Sequence, residues 1–289
     1  MSHTHYTTLI SAANLAERLA AAPGSVALFD CRFDLADPGA GEAAYAAGHL
    51  PGAHYLHLDR DLSGRKTGTN GRHPLPTRDA LATLLASRGL KQGQQVVAYD
   101  AQGGAYAARL WWLLRWLGHD SVAVLDGGLQ AWEAAGQPLT TDVPHPAAGD
   151  FRSATPLEST VDAATVLANV SSPARVVIDA RAPDRYRGEN ETIDRVGGHI
   201  PGARNRFFKD NLTADGRFKT GHELREAFTA VLAGTEPNRV ILQCGSGVTA
   251  CHNALALEVA GLHGASLYPG SWSEWSADPS RPIATGPNP

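Results

Sequence analysis

Cys244 is the residue whose surroundings are best suited to chemistry. It follows the strand-like run 240–243 (VILQ) and opens the segment Cys-Gly-Ser-Gly-Val-Thr-Ala, after which a helical pattern continues to residue 260. A strand, a glycine-rich turn and a helix start direct several backbone N–H groups at one point, and such a cradle stabilises an anion. We therefore expect Cys244 to be a thiolate at neutral pH and to act as a nucleophile.

An internal repeat organises the chain. Residues 26–32 (VALFDCR) match 176–181 (VVIDAR), and 48–53 (GHLPGA) match 198–203 (GHIPGA). Residues 96–103 (VVAYDAQG) match 240–247 (VILQCGSG), and Gly128 matches Gly270. Matches in the same order in both halves indicate a duplicated domain. We predict an N-terminal, non-catalytic domain over residues 1–145 and a C-terminal, catalytic domain over 146–289 that includes a proline-containing linker.

The two halves differ at the position of the thiol. Asp100 stands in the first half where Cys244 stands in the second. A free cysteine is most often a small apolar residue in a core, and here it could simply end a buried strand. The asymmetry between the halves favours the other interpretation, in which one half is catalytic.

Short β-branched runs alternate with helical stretches in both halves. The runs read as buried parallel strands and cover residues 26–30, 96–99, 122–125, 176–179 and 240–243. The helical stretches cover residues 80–88, 105–117, 224–232 and 249–260. This alternation predicts an α/β fold in which each domain has a parallel sheet flanked by helices on both faces. Ligands of such sheets bind beyond the carboxyl ends of the strands, where Cys244 lies.

Composition narrows the possible partners. The 289 residues carry a formal net charge of -4, so no basic surface is expected for nucleic acid or anionic lipid. No apolar run approaches the ~20 residues needed to span a bilayer, and residues 1–8 (MSHTHYTT) do not resemble a secretion signal. We expect a cytoplasmic protein. Three cysteines and scattered histidines predict neither a disulfide framework nor a metal site, and no cofactor is expected.

Four motifs together resemble the tandem rhodanese superfamily over nearly the whole chain. They are Asp-Ala-Arg at 179–181, Gly-His-Ile-Pro-Gly-Ala at 198–203, the cysteine loop at 244–250 and Gly-Ser-Trp-Ser-Glu-Trp at 270–275. Members that use thiosulfate carry basic residues directly after the cysteine. This chain has Gly245 and Ser246 there, and its loop is similar to the 3-mercaptopyruvate branch.

The resemblance implies a sulfurtransferase that carries sulfur as a persulfide on Cys244. The donor would be 3-mercaptopyruvate, and pyruvate would leave. The acceptor would be a small thiol, a thioredoxin-like protein or cyanide. Two alternatives stay open: a thiosulfate:cyanide sulfurtransferase, and a non-catalytic sulfur carrier or binding module. A cysteine-dependent phosphatase is disfavoured because Ala250 stands where those enzymes have an arginine.

The resemblance also implies a substrate-binding set. Arg185 and Arg195 would hold the donor, because a guanidinium group presents a planar fork matched to a carboxylate. Arg187 is the competitor for the second position. The loop would complete the set with Gly245, Gly247, Val248 and Thr249.

A proton relay is the last implied feature. Asp59 and His73 resemble the aspartate and histidine that the 3-mercaptopyruvate branch is proposed to combine with the loop serine, here Ser246. Asp61 competes with Asp59, and the pocket would lie in a cleft between the domains. A Ser-His-Asp set is recognised by its geometry, whatever the order of its members in the sequence.

Overall fold

The computed structural model describes residues 5–289, so the first half of the N-terminal segment 1–8 lies outside it. Two compact units make up the chain. The first contains the chain up to Ser63, then Pro76–Leu157 and Ala214–Phe218, and the second contains Gly64–Leu75, Glu158–Thr213 and Lys219–Pro289. Within residues 5–289, no helix is both long enough and apolar enough to cross a membrane.

The first unit is a five-stranded parallel sheet with helices between the strands. The strand order is β1-β5-β4-β2-β3. The strands are β1 Leu9–Ile10, β2 Val26–Asp30, β3 Ala53–Tyr55, β4 Gln95–Tyr99 and β5 Val122–Leu125. The helices are α1 Ala12–Ala21, α2 Ala40–Ala47, α3 Arg78–Ser87, α4 Ala107–Trp116 and α5 Gly128–Ala134. Every residue of β4 and β5 is buried, as expected for a sheet that is covered on both faces.

The second unit repeats this topology element by element. Its strand order is β6-β10-β9-β7-β8, and all pairs are parallel. The strands are β6 Ser159–Thr160, β7 Val176–Asp179, β8 Arg204–Asn205, β9 Val240–Gln243 and β10 Ser266–Leu267. The helices are α6 Ala163–Ser171, α7 Pro183–Arg187, α8 Gly221–Leu232, α9 Ala250–Val259 and α10 Ser271–Trp275. The α/β fold predicted from the sequence is confirmed in both halves.

The linker belongs to the first unit up to Leu157. The N–H of Gly149 donates to the carbonyl of Ala86, and the N–H of Ala154 donates to that of Leu117, at 2.8 and 2.7 Å. Phe151 is buried. Residues 146–157, assigned above to the second domain, are therefore held against the first unit by backbone hydrogen bonds. Such bonds need no particular side chains, so a sequence pattern does not reveal them.

The repeated motifs tie the end of a strand to a turn. Asp30 ends β2 and forms a buried salt bridge of 2.6 Å with Arg32, whose guanidinium also donates to the carbonyl of Gly48 at 2.7 Å. In the second unit the same contacts join Asp179, Arg181 and Gly198 at 2.6 and 2.7 Å. The Asp-x-Arg and Gly-His-x-Pro-Gly motifs occur together because they form one buried anchor.

Candidate active site

Cys244 is held at the carboxyl end of β9. It is buried, with 2% of its surface exposed. Its backbone N–H donates to Ser271 Oγ at 3.1 Å, and its carbonyl accepts the N–H of Trp272 at 2.9 Å. The first turn of α10 therefore sets the position of the cysteine.

The sulfur of Cys244 lies inside the loop that follows it. Its Sγ accepts the backbone N–H of Gly247 at 3.1 Å and that of Ser246 at 3.5 Å. Val248 is buried, Thr249 is half-buried, and Ala250 begins α9. The strand, turn and helix start expected from the sequence thus surround the sulfur with N–H donors, an arrangement that stabilises negative charge on it.

Gly247 is required by both conformation and space. Its φ is +76°, a region that L-amino acids with a Cβ rarely adopt. A Cβ there would lie 2.3 Å from the carbonyl oxygen of Pro269. The loop can close around the sulfur only with glycine at this position.

Ser271 has an unusual backbone for a residue with a side chain. Its φ is +52°, and Gly128, the corresponding first residue of α5, has φ +57°. The structural counterpart of Gly128 is therefore Ser271, one residue beyond the match expected from the sequence. Strained residues persist where the surrounding contacts hold them. Here the hydroxyl accepts the N–H of Cys244 and donates to the carbonyl of Tyr268 at 2.9 Å.

The first unit shows what the same turn does with a carboxylate. Asp100 follows β4 as Cys244 follows β9. Its Oδ1 accepts the N–H groups of Gln102 and Gly104, both at 2.9 Å. Its Oδ2 accepts those of Tyr106 and Ala107, at 2.8 and 2.9 Å. Four backbone donors thus converge on the carboxylate of Asp100, so the turn that has no cysteine also forms an anion-binding cradle.

His73 and Ser246 lie together in the second unit. The distance between His73 Nδ1 and Ser246 Oγ is 2.7 Å, and both residues are buried. His73 belongs to the segment Gly64–Leu75, which is part of this unit. The N–H of Arg72 donates to Ser273 Oγ at 2.9 Å and anchors the segment beside α10.

Asp59 lies in the first unit and is half-buried. Its backbone N–H donates to His57 Nδ1 at 3.1 Å. The competing residue Asp61 uses its carboxylate locally, because its Oδ2 accepts the N–H of His57 at 2.7 Å. The assignment of Asp59 to a relay stays a prediction.

Arg185, on α7, faces the cysteine loop. A Cβ on Gly245 would lie 3.7 Å from each of its terminal nitrogens. The guanidinium is held by Glu191, with Nη2 to Oε1 at 2.9 Å, and by Asp194, with Nη2 to Oδ2 at 2.9 Å. Arg185 therefore has a defined orientation beside the loop.

The structure places the other expected arginines on the surface. Arg195 is exposed. Arg187 forms an ion pair of 2.7 Å with Glu189. Arg72, which the sequence analysis did not single out, lies beside the loop instead, with its Nη2 3.0 Å from the position of a Cβ on Gly245. Its place next to His73 in Gly-Arg-His-Pro was the available signal.

Two buried carboxylates balance the charge of the two guanidinium groups that face the loop. Asp194 pairs with Arg72 at 2.5 Å as well as with Arg185. Burial by itself raises the pKa of Glu191, but hydrogen bonds from Arg185 and from nearby backbone N–H groups outweigh it and lower that pKa below its usual value. Glu191 is therefore charged at neutral pH, and the cationic side of the site is close to neutral overall.

The remaining cysteines sit in unreactive surroundings. Burial raises the pKa of the Cys31 thiol well above its ordinary value, and the carboxylates of Asp30, Asp100 and Asp61 add to this effect. Cys251 is fully buried on α9, and its Sγ donates to the carbonyl of Gly247 at 3.3 Å. Cys244 is the cysteine whose sulfur accepts loop N–H groups.

Comparison with protein families decides the classification. The model of the rhodanese-like domain matches twice, over residues 11–135 and 162–278, one match in each half. The chain belongs to the rhodanese family. Each match contains four of the five strands of one sheet and begins just after the fifth, β1 or β6, and the second match contains Cys244 and its loop.

Rhodanese relatives resemble the chain over nearly its full length. A probable 3-mercaptopyruvate sulfurtransferase of Pseudomonas aeruginosa is 49% identical over 280 residues, which cover 96% of this chain and 98% of the relative. A putative thiosulfate sulfurtransferase, SseB, of Mycobacterium tuberculosis is 40% identical and covers 96% of this chain and 97% of its own length.

A solved structure agrees with this relationship. The crystal structure of SseA from Escherichia coli, described as a 3-mercaptopyruvate sulfotransferase with the rhodanese fold, superposes with a TM-score of 0.79 at 31% identity. The match covers 93% of this chain and 100% of SseA.

Proposed function

We propose that this rhodanese moves the sulfur of 3-mercaptopyruvate to an acceptor, carrying it as the sulfane sulfur of a persulfide on Cys244, and releases pyruvate. The observation that carries the proposal is the position of the buried Cys244 sulfur, which accepts the N–H groups of Ser246 and Gly247. In the first half, the corresponding turn binds the carboxylate of Asp100. A persulfide is anionic at neutral pH, and such donors stabilise it without a metal or organic cofactor.

The charges beside the loop support a donor with a carboxylate. Residues 244–250 contain no lysine or arginine. Glu191 and Asp194 offset the charges of Arg185 and Arg72. A dianion such as thiosulfate gains most from net positive charge, whereas a carboxylate gains from directed hydrogen bonds of a guanidinium fork. The relatives named for 3-mercaptopyruvate agree with this preference.

The reaction proceeds in two transfers. The Cys244 thiolate attacks the sulfur of 3-mercaptopyruvate, the S–S bond forms, and the C–S bond breaks with its electron pair on carbon. The resulting enolate of pyruvate takes up one proton on carbon, and the donor's thiol group gives up one proton as the persulfide becomes anionic. In the second transfer a thiolate or cyanide attacks the outer sulfur of the persulfide, and Cys244 leaves as the regenerated thiolate.

Ser246 and His73 are suited to move the proton. Their hydrogen bond of 2.7 Å lies beside the loop that carries Cys244, and both side chains can donate or accept. We include Asp59 in this relay on the strength of the family resemblance. The loop residues Gly245, Gly247, Val248 and Thr249 would line the bound donor together with Arg185.

The acceptor in this proposal is a small thiol, a thioredoxin-like protein or cyanide. A cytoplasmic location is also a proposal, and it rests on the composition of the sequence. Fractionation of cells that express the native chain tests the location. Transfer assays with each acceptor rank the acceptors by kcat/KM.

Thiosulfate is the second candidate donor. The relative from Mycobacterium tuberculosis carries that name at 40% identity. The same persulfide on Cys244 would serve, with sulfite as the leaving group. The lack of basic residues in the loop is the feature that argues against it.

The experiment that tests the proposal compares the donors and the nucleophile together. Purified, reduced protein is given 3-mercaptopyruvate or thiosulfate, and kcat/KM is measured for transfer to a thiol and to cyanide. We expect 3-mercaptopyruvate to be preferred at least tenfold and Cys244→Ser to lose transfer with both donors. Cys251→Ser is the matched control and should keep its activity. A preference for thiosulfate selects the second candidate, and no turnover with either donor contradicts the enzyme proposal.

A further inference from the structure

A cavity in the second unit shares a wall with the cysteine loop. Its volume is about 290 Å³, at the lower limit for small-molecule sites. Its walls come from the segment Gly64–Leu75, from residues 160–162 before α6, and from the turn between β10 and α10. Pro269 of this turn lines the cavity, and its carbonyl oxygen is the atom that leaves no room for a Cβ on Gly247. The described residues that line the cavity include none of those assigned above to sulfur transfer.

The cavity is acidic. Asp162 and Glu274 line it, and the described residues of its wall include no lysine, arginine or histidine. Hydrogen bonds from the side chain and the backbone N–H of Thr165 lower the pKa of Asp162, so this carboxyl group is charged at neutral pH. Arg281 is close to this region, but it pairs with Asp278 at 3.5 Å and donates to the carbonyl of Glu274 at 2.7 Å. The cavity therefore favours a cation over an anion or a neutral molecule.

Tyr268 supplies a buried polar group beside these carboxylates. It lines the cavity and is fully buried, and its hydroxyl has no hydrogen bond of ordinary geometry within residues 5–289. Burial and the nearby carboxylate of Glu274 raise the pKa of this hydroxyl, so it keeps its proton at neutral pH. A buried polar group without a partner is unfavourable, and such a group commonly marks the place of a ligand or an ordered water. The hydroxyl therefore points to a ligand with a hydrogen-bonding group next to Glu274.

Glycine at position 270 lets Glu274 reach the cavity. A Cβ on Gly270 would coincide with Oε2 of Glu274, so the carboxylate folds back over the first turn of α10. The rest of the wall is largely apolar and includes Pro74, Leu75 and Val161. Among residues 5–289, no group of three or more histidine, cysteine, aspartate or glutamate side chains could hold a metal ion. A charged end and an apolar wall together fit an organic cation better than a hydrated metal ion.

We propose that this cavity binds a small organic cation, a primary ammonium group on a short apolar chain, outside the sulfur-transfer site. The ammonium group donates to the carboxylate of Glu274 and to the hydroxyl oxygen of Tyr268, and the charge of Asp162 adds to the attraction. The apolar chain packs against Leu75 and Val161. The inference goes beyond the proposed function and does not depend on the identity of the sulfur donor.

The test uses propylammonium as the probe. Isotope-labelled native protein is titrated with propylammonium chloride at constant ionic strength, and its amide NMR signals are followed. Propanol and propionate are titrated in the same way, because they keep the apolar chain and replace the ammonium group by a neutral or an anionic one. We expect saturable shifts of the amide signals of residues 160–162 and 270–274 with propylammonium alone. The Kd should be about 1–10 mM, as befits so small a ligand.

Variants separate the contributing groups. Glu274→Gln keeps the shape of the side chain and removes its charge, and it should raise the Kd at least about fivefold. Tyr268→Phe should raise the Kd about threefold to tenfold. Its melting temperature should be no lower than that of the native protein, because the hydroxyl that it removes has no partner within residues 5–289.

A second acidic variant and a control complete the set. Asp162→Asn keeps a residue that can cap α6, and it should raise the Kd about twofold to fivefold. It carries the test if melting curves show that Glu274→Gln is misfolded. Glu226→Gln is the matched control, since Glu226 is an exposed glutamate of the same unit outside the cavity, and it should leave the Kd unchanged.

Three results would overturn the inference. The first is the absence of saturable shifts below about 50 mM propylammonium, and the second is equal shifts with propanol. The third is a Kd that stays within about twofold of the native value in both Glu274→Gln and Tyr268→Phe. Because the titrations contain no sulfur donor, none of these results depends on the proposed function.

Discussion

Gly247→Ala tests whether the shape of the cysteine loop, rather than the cysteine alone, creates the site. The added methyl group lowers the free energy of unfolding in two ways. A residue with a Cβ at φ +76° costs about 1–2 kcal/mol. The Cβ would also lie 2.3 Å from the carbonyl oxygen of Pro269, and relieving such overpacking through the backbone costs about 1–3 kcal/mol. We expect a total destabilisation of about 2–5 kcal/mol.

Gly234→Ala is the matched control. Gly234 lies in the same unit and has φ +83°, but nothing lies within 4 Å of the position of its Cβ. It should carry only the conformational cost, about 1–2 kcal/mol. The difference between the two variants therefore isolates the contact with Pro269.

Urea unfolding followed by circular dichroism measures both variants, and sulfur transfer from 3-mercaptopyruvate measures their activity. The shift needed to relieve the contact also moves the N–H of Gly247 away from Cys244 Sγ, now 3.1 Å distant. Misplacement by about 1 Å can cost a hundredfold in rate, so Gly247→Ala should lose about that much activity and Gly234→Ala almost none. Equal stability of the two variants, or full activity of Gly247→Ala, would refute the reasoning.

Two further predictions concern the surroundings of the loop. Ser271→Ala keeps the strained φ and removes the acceptor of the buried Cys244 N–H. We expect urea unfolding to show a free energy of unfolding that is lower by about 1–3 kcal/mol. A decrease of less than about 0.5 kcal/mol would contradict this account. His73→Ala and Ser246→Ala should each slow sulfur transfer about tenfold to a hundredfold at saturating donor concentration. Because the two side chains are hydrogen-bonded and act as one unit, the double variant should be no slower than the slower single variant. Fully additive losses in kcat would contradict a shared relay.

The α/β architecture could be predicted because its signals are local. Every β-branched run singled out in the sequence is a strand or lies within one, from Val26–Asp30 to Val240–Gln243. The shortest strands, β1, β6, β8 and β10, have two residues each and leave no pattern of their own. Their places are set by pairing with longer neighbours, which a pattern along the chain cannot show.

The cysteine loop could be predicted for the same reason. Cys244, its glycines and the following helix are consecutive, so the anion cradle is a property of one short segment. The internal repeat added a comparison, because Asp100 stands at the matching position and binds the same kind of turn through its carboxylate.

The donor-binding side depends on contacts between distant parts of the chain. Arg72 and Asp194 are 122 residues apart in sequence, and His73 and Ser246 are 173 apart. Arg195 was expected from the family resemblance, yet its neighbour Asp194 is the buried residue and Arg195 is exposed. Which of several arginines faces a site depends on the direction of each side chain in an irregular segment, and no periodicity encodes that direction.

The sequence by itself therefore determined the duplicated sheet and the glycine-rich turn around Cys244, because hydrophobic period and turn chemistry act over a few residues. Only the tertiary structure decided that the segment Gly64–Leu75 belongs with the second unit and that Arg72, rather than Arg195, lies beside Gly245. The physical reason is that several polar side chains could equally well lie beside the loop as far as the sequence pattern shows. Which of them does so is decided by long-range packing contacts, and these contacts exist only after the chain has folded.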